Sequence, residues 1–156
     1  MLTSCLIDIE NAVKIMIKTT LNNKKILWCG NGGSAADAQH MAAELMGGLR
    51  DHSRPAIPSI ALTTDSSFIT AWANDTSYES IFSRQIEGIG RSGDVLIAIS
   101  TSGNSINVIN AINIAKKMDI SVIVLTGESG GQMNESDADA IIKIPSNDTQ
   151  RIQECH

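Results

Sequence analysis

Residues 95–105 read VLIAISTSGNS, and the fold turns on how that stretch is read. Five consecutive apolar residues run into Ser100, Thr101, Ser102, Gly103, Asn104 and Ser105, after which an amphipathic pattern begins. A continuous apolar run that stops at glycine and hydroxyls reads as a strand buried on both faces, turning into a helix. Strands of that kind belong to parallel sheets with helices on either side.

The same alternation extends in both directions. Strands are expected at 25–29 (KILWC), 58–63 (PSIALT), 94–99 (DVLIAI), 120–125 (ISVIVL) and 140–144 (AIIKI). Helices are expected at 33–47, within 66–89 and over 105–117, with a short turn or helix near 130–135. The predicted fold class is α/β, a three-layer sandwich whose five-stranded parallel sheet carries helices on both faces through right-handed crossovers. Ahead of it, residues 2–20 place Leu2, Leu6, Ile9, Val13, Met16 and Ile17 at helical spacing. That amphipathic N-terminal helix has no evident cover in the chain, so it is expected to pack on partner subunits. At the other end PSNDTQRIQECH opens like a capped helix but stops early, so the final helix reads as cut short.

With 156 residues, one domain over 1–156 is the expectation. Apolar residues make up 42%, charged residues 19%, and the mean hydropathy is +0.01, which places the chain among globular proteins. A net charge of -5 without a basic block argues against nucleic-acid binding. No apolar run is long enough for a membrane span, and the N-terminus lacks the pattern of a secretory signal, which points to the cytoplasm. Cys5, Cys29 and Cys155 are odd in number and far apart, and they read as reduced residues outside any thiolate metal site.

Two loops hold the functional interest. In an open α/β sheet, ligands bind beyond the carboxyl ends of the strands, where helix N-termini offer unpaired N–H groups. One such loop, CGNGGSA, has Gly30, Gly32 and Gly33 for close backbone approach, with Ser34 able to cap the next helix. The other is the opening stretch, whose hydroxyls suit an anion held by neutral donors. Ser102 or Asn104 acting as a simple helix cap is the plainer alternative. Neither loop has the lysine of a Walker A motif. Gly30 to Ala35 fits a dinucleotide fingerprint loosely, but the nearest acidic candidate, Asp65, lies too far on. A small phosphorylated metabolite suits both loops better.

His40 and Glu44 lie four residues apart, on one helix face. The pair could share a proton or ligate a metal; it could equally be a solvated surface pair, and two donors fall short of a zinc site. Beside a sugar held by its phosphate, a carboxylate can take a proton from the carbon next to a carbonyl, and a histidine or metal can stabilise the enediolate. That chemistry is aldose–ketose isomerisation.

Four motifs in order, GNGGSAADAQHMAAEL, ALTTDSSFITAWAND, GDVLIAISTSGNS and SNDTQRIQECH, resemble the SIS (sugar isomerase) family, with a flavodoxin-like fold, and within it the phosphoheptose isomerases. The resemblance implies a cytoplasmic, zinc-dependent homotetramer that converts sedoheptulose 7-phosphate to D-glycero-D-manno-heptose 7-phosphate, toward the heptose of lipopolysaccharide core. By position it implies that Asn31, Gly32, Gly33, Ser34, Asn74 and Asp75 contact substrate and that Ser100, Thr101, Ser102 and Ser105 hold its phosphate. It further implies His40, Glu44 and Gln153 as metal ligands, Glu44 and Gln153 as substrate contacts, and Glu44 as the catalytic base. The chain departs from the family in two places. A further family histidine would fall a few residues beyond His156, and Gly47 and Gly48 stand where the family has an arginine, with Arg50 nearby. Two other readings stay in view: a non-catalytic, replication-initiator-binding branch of the family, disfavoured by Glu44, and a sugar-phosphate-sensing module. A dinucleotide-dependent oxidoreductase lies outside the family.

Overall fold

The computed structural model describes residues 2–156, apart from the side chains of residues 2–4 and of Glu135. In chain order the elements are α1 (Leu2–Leu21), β1 (Ile26–Gly30), α2 (Gly33–Gly47), β2 (Ser59–Ala61), α3 (Ser66–Asp75) and α4 (Ile81–Ile89). There follow β3 (Val95–Ser100), α5 (Ile106–Lys117), β4 (Ser121–Gly127), β5 (Ala140–Ile144) and α6 (Thr149–Cys155). Short 3₁₀ turns cover Tyr78–Ser80 and Gly131–Glu135.

All five strands are parallel, in the order β2-β1-β3-β4-β5. Side chains alternate along them at period two, which gives the sheet two apolar faces. Leu27, Cys29, Leu96, Ala98, Val122 and Val124 meet Phe82 and Ile86 of α4 and Val108, Ala111 and Ile112 of α5. Ile26, Trp28, Val95, Ile97, Ile99 and Ile123 meet Ala12 of α1 and Ala38 and Ala42 of α2. Burying an Ile or Phe of this kind contributes about 1.5–3 kcal/mol, so two filled faces account for the α/β sandwich read from the apolar runs. The helix after β1 leaves toward one face and the helix after β3 toward the other. The strand order therefore reverses between β1 and β3, which opens a crevice at their carboxyl ends.

At the amino edge Asp94 is buried, and its carboxylate accepts from the Lys25 and Arg91 backbone N–H groups while the Lys25 ammonium lies 2.5 Å away. Burial without partners would be costly, and here each oxygen is satisfied.

The expectation that α1 has no cover within the chain needs correction. Cys5, Ala12 and Thr19, seven residues apart, are buried, and Ile15 and Met16 pack onto the sheet beside Ala12. The helix is therefore covered within the chain, along β5 and across β1 and β3. Small side chains make that contact because they let the helix approach closely. The larger residues of the expected stripe face outward instead: Leu6, Val13 and Ile17 are 49%, 45% and 51% exposed. Leu2 belongs to that stripe too, but its side chain lies outside the described residues.

Candidate functional site

The turn after β3 is held by bonds within itself and to its neighbour. Ser100 is buried, and its Oγ lies 3.0 Å from Ser105 Oγ. The Gly103 N–H donates to the Ser100 carbonyl, Ser102 Oγ accepts from the Asn104 N–H at 3.2 Å, and the Thr101 and Gly103 carbonyls accept from the Gly127 and Met133 N–H groups. Gly103 has φ +67°, and a Cβ there would meet the Gly130 carbonyl oxygen at 2.0 Å, so this turn and the one after β4 interlock. Ser105 stands at the N-cap of α5, yet its side chain makes no capping bond. Ser102 and Asn104 bond within the turn and to the Gln132 N–H. No hydroxyl of the turn caps α5, whereas Asn104 Oδ1 caps the 3₁₀ turn at Gly131–Glu135 through the Gln132 N–H.

The turn after β1 is tight for a different reason. Gly32 has φ +55° at the N-cap of α2, a conformation glycine adopts without strain. A Cβ on Gly33 would lie 3.0 Å from Gln153 Oε1. Ser34 does not cap α2 as expected. It lies inside the helix, buried, and its Oγ donates to Gln153 Oε1 at 3.2 Å. Gln153 in turn donates through Nε2 to Asp37 Oδ2.

The two turns are joined through side-chain amides. Asn31 Nδ2 donates to Asn107 Oδ1, and Asn107 Nδ2 donates to Asn31 Oδ1, each at 2.9 Å. The Tyr78 hydroxyl donates to the same Asn31 oxygen at 2.9 Å. A cavity of about 150 Å³ beside them is lined by Gly30, Asn31, Gly32, Thr63, Tyr78 and Phe82. Sequence reading passed over Asn107 and Tyr78; an amide close after a hydroxyl turn and the sole tyrosine of the chain mark the positions but not their distant partners.

On α2, His40 Nε2 and Glu44 Oε1 are 3.5 Å apart, with side chains 72% and 33% exposed. Arg54, also passed over, donates to the Glu44 and Leu45 carbonyls at 2.8 Å and closes the end of that helix. Arg50 is exposed. Asn74 and Asp75, at the end of α3, are exposed and bonded to each other at 2.7 Å. Asp65 caps α3 by accepting from the Phe68 N–H, which is a structural role and not a ribose contact.

Imidazole, carboxylate and amide oxygen are donors that zinc accepts, and His40 and Glu44 bring the first two together. Gln153 Oε1 is engaged by Ser34 while its amide nitrogen holds Asp37, and among the described residues no group of three His, Cys, Asp or Glu side chains is placed to hold a metal. A catalytic zinc takes three protein ligands, one more than the His40–Glu44 pair offers by itself. His156 lines an apolar cavity of about 300 Å³ with Ile9, Leu125 and Ile142, and both its ring nitrogens are without a hydrogen-bond partner among the described residues. Burial holds its pKa below the usual imidazole range. Burial likewise pushes the Cys29 thiol up, which leaves it unreactive.

Sheet order, crevice and hydroxyl turn together define a SIS domain, and the family model of that description matches residues 5–127. Among curated relatives, phosphoheptose isomerases of Aliarcobacter butzleri and Campylobacter concisus are 55% and 54% identical, over 95% and 96% of this chain and 77% and 78% of theirs. The solved phosphoheptose isomerase of Neisseria gonorrhoeae superposes with a TM-score of 0.90 at 45% identity, over 97% of this chain and 81% of that one. That of Francisella tularensis gives 0.91 at 38% identity, over 96% and 78%. This chain belongs to the phosphoheptose isomerase family.

Proposed function

We infer that the protein is an isomerase that converts sedoheptulose 7-phosphate to D-glycero-D-manno-heptose 7-phosphate. The single observation that carries this reading is the hydroxyl turn after β3, none of whose hydroxyls caps α5 and which is tied by the Asn31–Asn107 pair to the turn after β1 at the crevice of the sheet. Ser100, Thr101, Ser102 and Ser105 receive the phosphate, and Asn31, Gly32, Gly33, Ser34, Asn74, Asp75 and Gln153 the sugar chain. Glu44 takes a proton from C1 of the ketose. The electron pair left behind forms the C1–C2 enediolate, the hydroxyl proton of O1 passes to O2, and the abstracted proton returns to C2 as the aldehyde forms at C1.

Zinc is the cofactor of this reading, with His40, Glu44 and Gln153 as the donors this chain supplies; Gln153 Oε1 has a second lone pair beside the one that Ser34 engages. Bound there, a zinc ion would polarise the substrate carbonyl. The exposed side chains Leu6, Val13, Ile17 and Met41 support assembly as a homotetramer of single SIS domains. No helix of the described residues is long and apolar enough to cross a membrane, which accords with a place in the cytoplasm, where the product would feed lipopolysaccharide heptose synthesis. Glu44 favours the enzyme over the non-catalytic, replication-initiator-binding alternative.

The test is direct. Incubation with sedoheptulose 7-phosphate should produce the aldose resonances of the heptose phosphate in a proton NMR time course, with solvent deuterium entering at C2. An unchanged ketose spectrum, with and without added zinc, would overturn the assignment.

A further inference from the structure

We propose that Asn107 is a positioning residue for this isomerisation, acting through Asn31 and locked in one amide orientation by the Val108 N–H at one end and the Tyr78 hydroxyl at the other. The inference rests on the isomerase reading given above. Its force comes from the order in which the donors and acceptors are determined.

The Val108 N–H can only donate, and it is shared at 3.0 Å between the Ser105 carbonyl and Asn107 Oδ1, so the Asn107 atom facing it is the oxygen. Asn107 Nδ2 then faces Asn31 across 2.9 Å and needs an acceptor there, which makes the Asn31 atom opposite it Oδ1. The remaining Asn31 atom is the nitrogen that returns a bond to Asn107 Oδ1. With Asn31 Oδ1 already an acceptor, Tyr78 must donate to it. Both lone pairs of that oxygen are then engaged, and one N–H of Asn31 stays uncommitted for a ligand. Asn107 is 3% exposed while Tyr78 is 53% exposed, so a buried backbone donor fixes one end of the chain and a solvent-accessible hydroxyl the other.

What this network sets is a distance between two turns. Asn31 follows β1 and Asn107 begins α5 directly after the hydroxyl turn, so the amide pair bridges 76 residues of sequence. A phosphate held at one turn and a sugar chain threading past the other need that spacing constant, since displacing a bound substrate slightly slows chemistry out of proportion. Asn107 does not have to touch the substrate to matter.

The experiment is a double-mutant cycle on kcat/KM for sedoheptulose 7-phosphate, using wild type, Asn31→Ala, Asn107→Ala and the double variant. Asn107→Ala alone is expected to lower kcat/KM about tenfold, the size of one lost hydrogen bond, and to have little further effect once Asn31 is alanine. Tyr78→Phe, which keeps the ring at an exposed position, is expected to lower it about threefold with an unchanged melting temperature. Additive losses in the cycle, or a Tyr78→Phe enzyme with wild-type kcat/KM, would overturn the proposal while leaving the isomerase assignment intact. A wild-type protein inactive on the sugar would instead defeat the assignment, and the proposal with it. If Asn107→Ala does not fold, the Tyr78→Phe and Asn31→Ala pair is run as the cycle, with the same non-additivity required.

Discussion

The turn after β3 and the His40–Glu44 pair on α2 differ in what holds them. Ser100, at one end of the turn, is 4% exposed, and the turn is braced by its own backbone, by the turn after β4 and by the Asn31–Asn107 bridge. His40 and Glu44 meet each other at 3.5 Å, and the imidazole is 72% exposed. The turn is therefore braced within one chain, whereas the His40 and Glu44 side chains are held chiefly by each other. Exposed ion pairs contribute about 0–1 kcal/mol, too little to hold a catalytic geometry by themselves. Affinity and rate should accordingly respond to different substitutions.

The largest effect is expected from Glu44→Gln. Loss of the base should cut kcat by about 10³-fold while the affinity for sedoheptulose 7-phosphate, measured by calorimetry, stays near wild type. Turnover within tenfold of wild type would place the base elsewhere and break the contrast. Next comes Gly103→Ala, which forces a side chain against the Gly130 carbonyl in a left-handed conformation. A loss on the order of 2–3 kcal/mol is expected in urea unfolding, and an unchanged midpoint would show the turn to be soft instead of braced. Ser105→Ala removes one hydroxyl of the Ser100 pair and should raise KM about tenfold at constant kcat, which steady-state kinetics would report.

A smaller effect separates the two regions by pH. Burial holds His156 below the ordinary imidazole range, so the unfolded chain binds this proton more tightly than the folded one. Stability is then full above about pH 6.5 and declines as the pH falls from there toward the folded value. Melting temperatures across that window should slope downward into acid, and His156→Gln should flatten the slope. Residues 100–105 contain no ionisable side chain, so phosphate-site substitutions should leave the slope alone.

Much of the fold was legible because buried parallel strands write themselves as apolar runs. The run at 58–63 promised more strand than forms: β2 is an edge strand covering Ser59–Ala61 with Ile60 39% exposed, and one edge supplies fewer partners than two. The hydroxyl and glycine turns were legible too, since composition and position at a strand end mark them. Asn107, Tyr78 and Asp37 were not, because their bonds reach across the sheet and no local pattern encodes a partner so distant in sequence. The cover of α1 was hidden for a related reason: the apolar stripe of Leu and Ile marks one face, while the sheet accepted the smaller Cys5, Ala12 and Thr19 of another.

Arg54 clasps the carbonyls of Glu44 and Leu45, so the final turn of α2 is moored to the loop that follows it. A guanidinium there also suits the negative end of the helix dipole. Changes in residues 48–53 would steer the Glu44 carboxylate as a rudder does, leaving the anion cradle untouched. Arg54→Met should show this as a fall of about threefold in kcat at constant KM, and a shift in KM alone would disprove it. Such a lever would let catalytic speed be tuned independently of substrate capture.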